Sequence, residues 1–267
     1  MLSDTLSDSI YLTNSILLTN KLKPCIYKRS FSKVKSRTLS SETQNKPSEK
    51  LNPWWVTGFV DAEGCFSMSI FQSATAAIGW TIEPCFIITL HVKDIELLYK
   101  IKDFFNVGKV STVGNKTARF RVRSRSELKV IISHFNNYLL QKTKSVNFSY
   151  FCEILNFINN KVHTTIKGFL KLVSLINKLN NPLSESLLNK LVPLGIIPNV
   201  KFELLNPIGV KNLNLNPFWI SGFVTGEGSF TYFTRKRTNA AGKVVKDYTL
   251  VFEISQKSID SYVLKIL

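Results

Sequence analysis

Two glutamates stand where a helix least favours them. Glu63 lies near the end of "WVTGFVDAEGCF" (residues 55–66), and Glu227 lies near the end of "WISGFVTGEGSF" (residues 219–230). In each stretch an apolar run reads as a short helix, with the glutamate in its last turn and a glycine after it as the natural terminator. The carboxylate then faces the negative end of the helix dipole, which disfavours it. Two such groups held side by side repel one another unless they share a proton or a cation. A divalent cation would take oxygen ligands from both acids and from adjacent backbone carbonyls. Mg²⁺ suits the arrangement, because it keeps several waters and binds through one or two carboxylates plus phosphate. The chemistry that follows is metal-assisted phosphodiester hydrolysis. The plainer alternative is two solvated glutamates ending two core helices.

The elements that must bring the two acids together are repeats of each other. "LNPWWVTGFVDAEGCF" (51–66) and "LNPFWISGFVTGEGSF" (215–230) agree at ten of sixteen positions, at a constant offset of 164. Asn52 and Asn216 are good N-caps, and Pro53 and Pro217 fit the first helical position. Gly58 and Ala62, like Gly222 and Gly226, are four residues apart. Small residues at that spacing share a helix face and let two backbones approach closely. If the two helices pack on each other with pseudo-two-fold symmetry, Glu63 and Glu227 meet at one end.

The repeat continues beyond the helices. "FIITLHVKDIELLYKI" (86–101) pairs with "FEISQKSIDSYVLKIL" (252–267), aligning Phe86 with Phe252 and Asp94 with Asp260. Each repeat therefore reads helix, strand, turn, strand, helix. The first goes on to a hairpin over 108–124 with a Gly-Asn turn, a helix near 126–137 and another near 145–160. The expected organisation is a basic leader over 1–50, a first repeat over 51–160, a helical connector and linker over 161–214, and a second repeat over 215–267. The leader reads as disordered or as a mitochondrial presequence, being basic, hydroxylated and poor in acid. The counterparts of the second hairpin and last helices are not found after the second repeat, so the chain reads as truncated.

The composition narrows the partners. The chain has 267 residues, with 35 Lys and Arg against 18 Asp and Glu, a net charge of +17. Such a field attracts polyanions. No apolar run reaches bilayer-spanning length, so no membrane is expected as a partner. Cysteines at 25, 65, 85 and 152 form no CxxC pair and read as reduced, small apolar residues.

The paired "VTGFVDAEG" and "ISGFVTGEG" resemble the signatures of the LAGLIDADG homing endonucleases of the single-chain, two-repeat type. The resemblance implies an α+β fold of two pseudo-symmetric αββαββα repeats whose antiparallel sheets form a saddle over DNA, the second repeat here being incomplete. It implies an intron-encoded mitochondrial protein, a monomer with an internal pseudo-two-fold, that makes metal-dependent double-strand breaks in a DNA target. It implies that Glu63 and Glu227 bind the divalent metal. Asp61 has Thr225 as its counterpart and so cannot be a symmetric ligand. A polar residue at the end of the second strand is matched by Gln256 in the second repeat, against Leu90 in the first. A basic residue late in the repeat is matched by Lys144, with Lys142 as the fallback.

The strands support groove reading on their own. In "TARFRVRS", Arg119, Arg121 and Arg123 alternate with Phe120 and Val122, which places the arginines on one strand face. Arginine there suits bidentate contact with guanine or phosphate. Ser67 and Ser69 alternate with Phe66, Met68 and Ile70, and the equivalent strand of the second repeat carries Arg235, Lys236 and Arg237. Two other functions stay open: an RNA maturase acting on the host intron, and a catalytically dead DNA-binding remnant. A saddle short of half its second sheet loses DNA contacts, so the chain is expected to cleave poorly or not at all.

Overall fold

The structure is a computed structural model that describes residues 11–17, 50–179, 183–195, 215–238, 240 and 242–265. Most of the leader and the linker segment 196–214 fall outside these residues. The elements run β1 (Tyr11–Leu17), α1 (Pro53–Glu63), β2 (Gly64–Gln72), β3 (Trp80–His91), α2 (Ile95–Phe105), β4 (Lys109–Val113) and β5 (Thr117–Val122). They continue with α3 (Arg125–Asn137), α4 (Lys144–Asn159), α5 (Ile166–Ile176), α6 (Glu185–Leu191), α7 (Pro217–Glu227), β6 (Gly228–Thr238), β7 (Val244–Lys257) and α8 (Ser261–Leu264). This is the expected α+β order, with helix, two strands and helix recurring in α7, β6, β7 and α8. No helix among the described residues is long and apolar enough to cross a membrane.

The described residues divide into a larger compact unit drawn mainly from 51–228 and 254–265 and a smaller one drawn mainly from 229–253. In the larger unit, four antiparallel strands form a sheet in the order β2-β3-β5-β4. Alternation decides which side faces the core. Ala118, Phe120 and Val122 are buried, while Arg119 and Arg121 stay half-exposed on the other face. Phe66 on β2 packs within 5.7 Å, ring to ring, of Phe86, Phe135, Phe148 and Phe151, so the inner face is roofed by α3 and α4. In the smaller unit the corresponding face stays open: Phe230 and Tyr232 on β6 and Tyr248 and Leu250 on β7 are 60–76% exposed.

Two details differ from the sequence reading or extend it. Gly64 was expected to end α1 as a helix-terminating glycine, yet its backbone is extended (φ −74°, ψ 153°). Its use is steric, because a Cβ there would press on the Val60 side chain and carbonyl. His134 lies in the core, ringed by Phe104, Phe105, Phe135 and Tyr138. The hydroxyl of Thr57, on α1, lies 3.2 Å from the carbonyl of Tyr138 and 3.1 Å from Nε2 of His134. The carbonyl can only accept, so the single hydroxyl proton goes to it, and Nε2–H of a neutral imidazole donates to Thr57. The pair fastens α1 to α3. Among the described residues Cys65, Cys85 and Cys152 form no disulfide.

Burial pushes the His134 imidazole from 6.5 down to about 4. The folded protein favours the neutral ring, so this stabilisation is complete above about pH 6.5 and is lost as the pH falls through 4. The unfolding free energy should drop by up to roughly 3 kcal/mol over that window from this group. His134→Gln should remove that component from denaturant melts recorded between pH 7 and 4.

Candidate active site and nucleic-acid face

The acids meet because α1 and α7 touch backbone to backbone. A methyl placed on Gly58 would overlap the carbonyl of Trp219 and lie 3.0 Å from the backbone nitrogen of Phe223. A methyl on Gly222 would overlap the carbonyl of Trp55 and lie 2.9 Å from the nitrogen of Phe59. These two sets of contacts exchange under the 164-residue offset, as a pseudo-two-fold requires. One turn further on, Gly226 faces Ala62, and a Cβ on Gly226 would sit 3.1 Å from Cγ of Glu63. Each helix is started by its asparagine, with Asn52 and Asn216 accepting from the backbone N–H two residues on at 2.9 Å.

Glu63 is half-buried at the converging ends. Burial raises its carboxyl above the usual range and the Glu227 charge raises it further, while Lys144 and Lys142 oppose the shift. Glu227 is also half-buried and has the Lys142 ammonium 3.6 Å away. Both lysines weighed in the sequence are therefore present, with different tasks. Lys144 Nζ donates to the carbonyls of Val60 at 2.7 Å and Ala62 at 3.1 Å in the last turn of α1, where the Val60 carbonyl also accepts from the Gly64 N–H. Burial lowers its ammonium to about 8. Lys142 lies between Glu227 and Asp260, 4.9 Å from the centre of the Phe223 ring. The carbonyls expected to help hold a cation are thus occupied by lysine.

The donor set fits a hard divalent ion. Two carboxylates crowd one another at the negative ends of two helices, and no cluster of three or more His, Cys, Asp or Glu able to hold a metal occurs among the described residues. A cation held by Glu63 and Glu227 would complete its shell with water and phosphate oxygen, as Mg²⁺ does.

The two glutamates open into two different pockets. Glu63 lines one of about 610 Å³ with Leu90, His91, Lys93 and Asp94. Glu227 lines one of about 320 Å³ with Lys142, Gln256 and Asp260. Gln256 is buried there, and its Nε2 donates to the Ser255 carbonyl at 2.7 Å. The asymmetry between Gln256 and Leu90 read in the sequence is thus a difference between pockets.

The tying roles of three residues were missed in the sequence. Asp61 is fully buried, and its Oδ2 accepts from the Gln141 N–H at 2.8 Å and the Trp219 indole N–H at 2.9 Å. It binds α1 to α7, which explains why a residue without an acidic counterpart sits in the signature. Asp260 and Tyr262 hold residues 141 to 143. The available signals were the alignment of Asp94 with Asp260 and the place of Asp61 in the signature opposite Thr225.

On the outer face of the sheet, Arg119 pairs in register with Thr89 and Ser111, and Arg121 with Ile87 and Lys109. Arg119 Nε is buried without a hydrogen-bond partner. Arg123 falls just past the end of β5 and lies 3.7 Å from Glu83. Ser67 is half-buried and Ser69 exposed on the same face. In the smaller unit, Arg235 and Arg237 are exposed on one face of β6 with Phe233.

Two glycine-bearing helices packed in pseudo-symmetry, each ending in a glutamate and each followed by an antiparallel hairpin, define a paired-repeat α+β protein with a shared acidic centre. Residues 56–155 match the family described as LAGLIDADG endonuclease. The chain is 30% identical over 213 residues to "Probable intron-encoded endonuclease 3" of Neurospora crassa, covering 79% of this chain and 38% of that protein. It is 32% identical over 251 residues to "Probable intron-encoded endonuclease 2" of the same organism, covering 91% and 53%. The structure superimposes with a TM-score of 0.71 and 35% identity on the LAGLIDADG meganuclease I-CpaMI bound to uncleaved DNA, over 80% of this chain and 70% of that one. It also superimposes on I-SmaMI bound to an uncleaved DNA target in the presence of calcium ions, with a TM-score of 0.70 and 33% identity, over 81% and 71%. The chain belongs to the LAGLIDADG family. It spans about half or less of the length of these two Neurospora relatives.

Replacing Glu227 with Gln removes the like charge and leaves Lys142 to act on Glu63. The Glu63 carboxyl should then titrate at lower pH, read as the ¹³C shift of its labelled side chain. An unmoved midpoint would show that the two acids are not neighbours.

Proposed function

We propose that this chain acts in intron homing as an endonuclease that hydrolyses phosphodiester bonds in both strands of duplex DNA. The observation that carries the reading is the placement of Glu63 and Glu227 at one shared end of α1 and α7, where two carboxylates raise each other's need for a cation. Glu63 and Glu227 hold the metal, for which Mg²⁺ is the best chemical match. When bound, the ion supplies Lewis-acid stabilisation of phosphate oxygen and a more acidic water. Lys142 and Lys144 set positive charge beside the acids, where the extra negative charge of the transition state develops. Gln256 offers an amide at the Glu227 pocket for orienting a water or a phosphate oxygen.

Arg119, Arg121 and Arg123 on one sheet, and Arg235 and Arg237 on β6, contact bases and phosphates, with Ser67 and Ser69 adding hydroxyl donors. The net charge of +17 supports a polyanionic partner. DNA-bound relatives and relatives named as intron-encoded support the substrate and the genetic setting. The leader composition and the fungal intron-encoded relatives support a mitochondrial location. The protein works as a monomer, with its internal repeat standing in for a dimer axis.

The test is a nicking and cleavage assay on plasmid carrying the intronless host sequence. Slow Mg²⁺-dependent nicking is expected from residues 1–267, with Ca²⁺ unable to replace it. Glu63→Gln should slow nicking by about a hundredfold or more while DNA affinity stays within about threefold. Nicking by Glu63→Gln at the unaltered rate would overturn the assignment.

A further inference from the structure

Residues 141 to 144 join α3 to α4, and each is tied down. The Gln141 N–H donates to Asp61 and its carbonyl accepts from the Tyr262 hydroxyl at 2.7 Å. Both the N–H of Thr143, at 2.9 Å, and its hydroxyl donate to Oδ1 of Asp260. Lys142 Nζ lies 3.9 Å from Oδ2 of Asp260 and 3.6 Å from Glu227. Lys144 is held separately, by the carbonyls at the end of α1. The Asp260 side chain is 10% exposed. A carboxylate so buried keeps its place only where donors and a counter-charge meet it, and here the donors and the charge belong to Thr143 and Lys142.

The repeat marks the same place twice. Asp94, aligned with Asp260, lines the pocket that holds Glu63, as Asp260 lines the one that holds Glu227. The first repeat differs in what surrounds it: Asp94 is exposed, whereas Asp260 is covered by Thr143 and Lys142.

We propose that Asp260 is a positioning residue that fixes residues 141 to 143 and, with Glu227, holds the Lys142 ammonium at the second-repeat pocket, ready for a phosphodiester oxygen. The oxygen as the ligand of Lys142 rests on the function proposed above; the placement of the lysine does not. Without Asp260, Lys142 keeps Glu227, the Asp61 carbonyl at 3.5 Å and the Phe223 ring but loses its second carboxylate, and its backbone loses the Thr143 anchor. An ammonium left to swing over several rotamers would have to be ordered again by each bound phosphate.

Amine acetylation followed by mass spectrometry reads the placement directly on the full chain. In the wild type Lys142 should react slowly beside the exposed Lys93. In D260N the amide oxygen can still accept from Thr143, yet the charge is gone. Lys142 acetylation should rise about tenfold, with Lys144 and Lys93 changed less than about twofold. Thr143→Val, which keeps the carboxylate and removes one donor, should raise Lys142 reactivity by a smaller factor. Unchanged Lys142 reactivity in D260N would overturn the proposal, as would an equal rise at Lys142 and Lys144, which signals general loosening. Strand-resolved nicking adds the phosphate step: D260N and K142M should slow the same strand, and the double variant should be no slower than K142M. Wild-type protein that does not nick counts against the proposed function and leaves the acetylation result to decide the positioning role.

Discussion

The structure depends on a backbone-to-backbone contact between two helices. α1 and α7 can approach only because Gly58 and Gly222 carry no side chain where each meets the other's carbonyl. Close approach has an electrostatic consequence. It brings two negative helix ends together with a carboxylate on each, an arrangement that costs stability until a positive charge is placed among them. The fold tolerates that cost at the point where a cation is useful, as functional sites commonly do.

Positive charge is also built into the protein at this point. Lys144 satisfies the last carbonyls of α1, and Lys142 faces Glu227. Neither lysine belongs to the paired helices. Both reach them from residues 141 to 144, which are held by Asp61 from the first repeat and by Asp260 and Tyr262 from the second. The centre therefore joins the two repeats twice, through the glycine contact and through the segment bearing the lysines. The result is asymmetric, since the Glu227 pocket has Gln256 where the Glu63 pocket has Leu90, and Lys142 lines only the Glu227 pocket.

Much of this was legible in the sequence, for definite reasons. The duplicated signature gave the pairing of the helices, because spacing of small residues at four is a local property of a helix face. The alternation over 118–122 gave the buried and open sides of β5, because strand periodicity is local too. What stayed hidden depends on contacts between distant residues. Thr143 meets Asp260 across 117 positions and Asp61 meets Trp219 across 158. No spacing rule connects such pairs. The same limit explains why Lys142 and Lys144 were both candidates, since only the fold shows that one meets a carboxylate and the other caps a helix. Gly64 is a different case: its need for a small side chain comes from Val60, four residues back, and not from the dihedral angles that a terminating glycine usually supplies.

On the proposed function, Glu63 and Glu227 form one cation site and not two surface acids. Isothermal titration of Mn²⁺ into the full chain and into E63Q and E227Q tests it most directly. Each single substitution should weaken the same binding event, and the double variant E63Q/E227Q should add little to the larger single effect. Undiminished Mn²⁺ binding in either single variant, or two independent losses that add, would contradict it.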